Sequence, residues 1–70
     1  MNESKTVTIR GTKYKMNLVA STGWVFVYSN KARRTYPVAK LVDGELSTIH
    51  PDEALRYASN AELVQAWLAN

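Results

Sequence analysis

Apolar and polar residues alternate with a period of two through most of the first 49 positions, the mark of strands with one face buried. From Thr6 to Arg10, Val7 and Ile9 point one way, and Thr6, Thr8 and Arg10 the other. From Lys13 to Ala20, Tyr14, Met16 and Leu18 oppose Lys13, Lys15 and Asn17. Gly11-Thr12 suits a two-residue type II′ turn between them, because glycine accepts the positive φ of the first position. That turn pairs Ile9 with Tyr14 and Val7 with Met16, so both apolar rows share one face. The other face then carries Thr8, Arg10, Lys13 and Lys15.

The third strand, Trp24 to Tyr28, is apolar on both sides, which points to a central position. A polar, basic loop follows from Ser29 to Arg34. The fourth strand runs from Tyr36 to Val42, with Pro37 limiting pairing at its start. Asp43-Gly44 is a strong type I′ hairpin signal leading into a fifth strand, Glu45 to Ile49, and pairs Leu41 with Leu46.

From Pro51 the period becomes helical. Pro51 suits a first helical turn, and Asp52 and Glu53 favour its positive end. Ser59 followed by Glu62 is a capping box, so a second helix is expected from near Asn60, with Leu63, Val64, Trp67 and Leu68 as its apolar stripe. One continuous helix from Pro51 to Ala69 is the alternative. The expected fold class is α+β in one domain, residues 1–70. An antiparallel four- or five-stranded β-meander fills residues 5–49. One or two C-terminal helices within 51–69 pack on one face.

The placement of Trp24, Phe26 and Tyr28 depends on the loop before them. A three-residue loop, Ser21-Thr22-Gly23, puts Gly23 in the left-handed position of a bulge and sends the rings into the core opposite Ala20, Leu18 and Met16. A register shifted by one sets Val19 opposite Trp24 and Asn17 opposite Phe26. The rings then share the face of Lys15, the pattern of single-strand nucleic-acid binders. The position of Gly23 favours the core placement.

The 70 residues can bury only about 60% of the surface their unfolded chain exposes, so stability is expected to be marginal. There is no cysteine, which removes disulfides, thiolate metal sites and cysteine nucleophiles. No apolar run approaches the roughly 20 residues of a membrane span, and no secretory signal is visible, so the expected address is the cytoplasm. The formal charge of +3 conceals a split. Residues 1–42 carry eight basic groups against Glu3 alone, a balance of +7. Residues 43–70 carry five acids against Arg56, a balance of −4. A basic half without local acids favours an anionic partner.

The candidate binding residues are therefore Lys31, Arg33 and Arg34 in the loop, aided by Arg10, Lys13 and Lys15 on the sheet. No cofactor or metal is expected: the single histidine, His50, lacks converging ligands. The serines sit in no nucleophile motif and the three glycines are isolated turn residues, so no catalysis is expected. Two partners fit this basic surface. One is nucleic acid, held by its phosphate backbone with little sequence preference. The other is an acidic surface of a larger complex, the target of small accessory or inhibitory proteins of the phage and mobile-element kind. A free sheet edge also offers a second copy a strand to pair with, the route to a homodimer.

Overall fold

The computed structural model describes residues 2–29, 33–55 and 58–69. Five strands form one antiparallel meander: β1 (Glu3–Ile9), β2 (Thr12–Val19), β3 (Trp24–Ser29), β4 (Arg34–Val42) and β5 (Glu45–Thr48), each hydrogen-bonded to its neighbour in chain order. A two-stranded ribbon, β6 (Ala54–Leu55) with β7 (Ala58–Ser59), leads into helix α1 (Asn60–Ala69). The chain is thus an α+β fold with one C-terminal helix, which packs against β1, β4 and β5. Among the described residues no helix is long and apolar enough to cross a membrane.

The first hairpin turns on Arg10-Gly11, not Gly11-Thr12. Both turn residues have positive φ, 50° and 80°, the geometry of a type I′ turn that matches the twist of its strands. Ile9 therefore pairs with Thr12 and Val7 with Tyr14. This differs from the expected pairing by two residues, so the side chains of the paired strand residues keep their expected faces. Asp43-Gly44 closes the β4–β5 hairpin with the same turn, φ 52° and 82°, and Leu41 faces Leu46 as the sequence implied.

The loop between β2 and β3 overturns the core placement of the aromatic rings. It has four residues, Ala20 to Gly23, so Val19 pairs with Trp24, Asn17 with Phe26 and Lys15 with Tyr28. The amide of Thr22 donates to the Val19 carbonyl at 3.1 Å and that of Gly23 to the same oxygen at 2.8 Å, winding the loop through one helical turn. Gly23 ends it at φ 79°, where a Cβ would stand 3.0 Å from the Leu41 carbonyl oxygen. A side chain there is disfavoured both by the left-handed backbone and by this contact with β4.

With that register Val25 and Val27 enter the core, both fully buried. They meet Val7, Tyr14 and Met16 from the first hairpin, Val38 and Ala39 from β4, and Leu63, Val64 and Trp67 from the helix. β4 reaches the core through a bulge: Val25 pairs with Ala39 and Phe26 with Pro37, leaving Val38 as the extra residue. Val38 and Ala39 are consecutive yet both fully buried. Pro37, which has no amide hydrogen, sits where the ladder is already interrupted.

Among the described residues only the second expected helix is present. Ser59 and Glu62 form the capping box: the Glu62 amide donates to Ser59 Oγ at 3.2 Å, and the Ser59 amide donates to Glu62 Oε1 at 3.2 Å. The segment before it is a turn and ribbon because its backbone groups are claimed by the helix start. The Asn60 amide donates to the Glu53 carbonyl at 2.8 Å, and Asn60 Nδ2 donates to the Ile49 carbonyl at 2.8 Å. Asn60 is buried, so these bonds are shielded from water. His50, at φ 48°, makes the left-handed step that sends the chain out of β5 into this turn.

Candidate nucleic-acid interface

The sheet has one face under the helix and one face open. Strand alternation and the β2–β3 register put Trp24, Phe26 and Tyr28 on the open face, each half-buried among its neighbours. Lys13 and Lys15 lie beside them on β2, exposed, opposite Thr8 and Thr6 of β1. Asn17 stands next to Phe26 across the strands and accepts a hydrogen bond from Ser4 Oγ at 2.5 Å. On the other side of β3, Thr35 pairs with Tyr28, Pro37 with Phe26 and Lys40 with Trp24.

Lys40 is absent from the candidates that the sequence suggests, because its place depends on the bulge. Strict alternation from Tyr36, which faces the core, would bury Lys40 on the same side. The extra residue at Val38 reverses the alternation and delivers Lys40 to the open face. Its ammonium lies 5.1 Å from the centroid of the Trp24 ring, a cation–π contact. The Trp24 and Phe26 rings follow each other along β3 with centroids 6.5 Å apart and planes inclined by 37°.

Lys13 and Lys15 thus stand where the sequence put them. Arg10 does not. It occupies the β1–β2 turn and reaches toward the helix, where Nη1 donates to Glu62 Oε2 at 2.8 Å and Nη2 to Oε1 at 3.0 Å. This two-pronged pair, with the help of the Ser59 amide, holds the Glu62 carboxyl well below its usual range, at about 2, and raises the Arg10 guanidinium in turn. Arg10 therefore ties the first hairpin to the helix start and does not join the lysines.

The loop cluster divides. Arg33 is exposed at the entrance to β4, at φ 54°. Arg34 pairs with Ser29 and lies on the helix-side face, its guanidinium 5.4 Å from the centroid of the Tyr36 ring. Lys31 lies outside the described residues. The positive groups placed on the open face are Lys13, Lys15 and Lys40. Glu45, opposite Val42, sets an acid at the far end of that face.

Lys5 is set apart by a role of a different kind. It lies on the helix side, where its ammonium donates to the Trp67 carbonyl at 3.1 Å and sits 4.7 Å from that ring's centroid. The helix has no basic residue of its own in the last turn, so β1 supplies the cation that its carbonyl end favours.

Shallow depressions flank the rings. One is lined by Thr6, Lys13, Lys15 and Tyr28, another by Ser4, Asn17, Phe26 and Thr35 among others. Both mix hydroxyl, amide or ammonium groups with an aromatic ring. Such a surface can stack planar rings and pair with negative charge. Among the described residues no three His, Asp or Glu side chains converge as metal ligands would.

No family model matches this chain, and neither the curated proteins nor the solved structures contain a significant match.

Proposed function

We propose that this protein is a small non-catalytic nucleic-acid-binding protein that works through the open face of its sheet. One observation carries the reading. The β2–β3 register sets Trp24, Phe26 and Tyr28 beside Lys15 on the face that no helix covers. Half-buried rings on a sheet give flat surfaces on which any base can stack. Lys13, Lys15 and Lys40 flank them. Phosphate pairing and stacking carry little sequence information, so the binding has little sequence preference. The reading assigns a cytoplasmic partner.

The test is a titration with single- and double-stranded DNA and RNA at several salt concentrations. Binding dominated by phosphate contacts makes the logarithm of affinity fall linearly with log salt, by about 0.7 to 0.9 per neutralised phosphate. Flat titrations at low ionic strength with every nucleic acid would overturn the reading and leave an acidic protein surface as the partner.

A further inference from the structure

Resting on that reading, we propose that the ligand is a single strand and that the site holds three unstacked nucleotides along β3. One base lies against each of Trp24, Phe26 and Tyr28, and the phosphates run past Lys15, Lys13 and Lys40.

The spacing of the rings decides between strand and duplex. Alternate residues of a strand are about 6.7 Å apart, and the Trp24 and Phe26 centroids are 6.5 Å apart. Bases stacked in a duplex repeat at about 3.4 Å along each strand. A stacked pair cannot meet two such rings face to face. A duplex moreover offers the sheet its groove edges and backbone, while ring faces are hidden within the stack. A single strand can splay its bases and set one on each ring. The row ends at Trp24 on one side, where Gly23 begins the loop, and at Tyr28 on the other, where the strand gives way at Ser29. Three rings therefore define three positions.

The flanking charges follow the same row. Lys15 is the cross-strand neighbour of Tyr28, and Lys13 lines the same depression as that ring. Lys40 is the cross-strand neighbour of Trp24. Positive charge thus brackets the two ends of the row, while the middle position, Phe26, has the neutral Asn17 on one side and Pro37 on the other. The Lys40 ammonium now lies against Trp24. A base arriving on Trp24 displaces it toward the phosphate that the same nucleotide brings.

The experiment is a length series on the intact protein: oligothymidylates of one to eight nucleotides, at low salt, followed by tryptophan fluorescence. A parallel series of oligouridylates separates DNA from RNA, and a self-complementary duplex is the third arm. Stacking on an aromatic side chain makes each of the first three nucleotides raise affinity roughly tenfold. The fourth should add only about twofold and each later one progressively less, because an oligomer of n nucleotides offers n − 2 binding frames. Tyr28→Ala should move the break from three nucleotides to two. A rise that continues evenly beyond three, or a duplex that binds as tightly as the single strand, would overturn the three-base row while leaving nucleic-acid binding in place. Absence of binding by every oligomer would overturn both.

Discussion

The two faces of this sheet are built from the same strands and have opposite fates. On the helix side, Val7, Tyr14, Met16, Val25, Val27 and Val38 are buried to 2% exposure or less, under Leu63, Val64 and Trp67. On the other side, Trp24, Phe26 and Tyr28 keep part of their surface in water among lysines and hydroxyls. β3 supplies both sets from consecutive residues. The smaller valines make the core and the larger rings are left outside. Hydrophobicity alone would bury the rings first. A protein this short gains most from its large apolar groups, so leaving three of them half-solvated is a cost, and the proposed binding would account for it.

The sharpest way to break the comparison is to truncate one large ring on each side. Trp67→Ala should cost about 3–5 kcal/mol, as loss of a buried aromatic does, and bring a marginally stable protein close to unfolding. Phe26→Ala should cost clearly less and abolish most of the nucleic-acid affinity. Thermal melts of both variants, with titrations of the second, check this. Equal destabilisation by the two would remove the distinction between the faces.

Gly23 sharpens it further, because the loop it closes decides which face the rings take. Gly23→Ala places a Cβ 3.0 Å from the Leu41 carbonyl at a φ of 79° and should cost about 1–3 kcal/mol. A denaturant titration reads this directly, and a neutral substitution would mean that the loop adopts another path.

Much of the fold is legible in the sequence, and the points where structure and sequence pattern part have local causes. The Asp43-Gly44 turn and the Ser59–Glu62 box can be read directly because their chemistry is complete within four residues. The β2–β3 loop is ambiguous because a left-handed glycine at the last loop position suits three residues as well as four. The difference of one residue exchanges the faces of the whole aromatic row. The bulge at Val38 leaves no such signal, since Val-Ala reads as ordinary alternating strand, and Lys40 is hidden with it. The segment from Pro51 carries helix-starting residues, yet the Asn60 and Ala61 amides bind its Glu53 and Pro51 carbonyls from the start of α1, which no local pattern reveals. Lys13 and Lys15 stand out because alternation is unbroken in β2. Arg10 departs from its expected face because it belongs to the turn.

The charges give smaller effects. Replacing Lys13 and Lys15 together by alanine should leave the melting temperature nearly unchanged and lower the salt slope for single strands by about 0.7 for each phosphate no longer neutralised. Arg10→Ala should leave that slope alone, because Arg10 is committed to Glu62 on the other side. The Arg10–Glu62 pair should instead appear in the pH dependence of stability. The Glu62 carboxyl sits at about 2 in the folded chain against an ordinary 4.5. A depressed carboxyl stabilises the folded state above its unfolded value and loses that effect as pH falls. The stability gap between the native protein and Glu62→Gln should thus be full above about pH 4.5 and shrink steadily toward pH 2. Melts across that range would show it, and a gap that widens with acid would contradict the pairing.

The two tryptophans lie on opposite sides of the sheet, Trp24 among the lysines and Trp67 on the buried side of the helix, so each indole N–H reports on one side. The most direct test is a proton–nitrogen correlation spectrum of the labelled protein at low salt, recorded as a trithymidylate is added. The Trp24 indole signal should move progressively to saturation while that of Trp67 stays in place. Movement of Trp67 with Trp24 unmoved, or a spectrum that does not change at all, would contradict the assignment of binding to the open face.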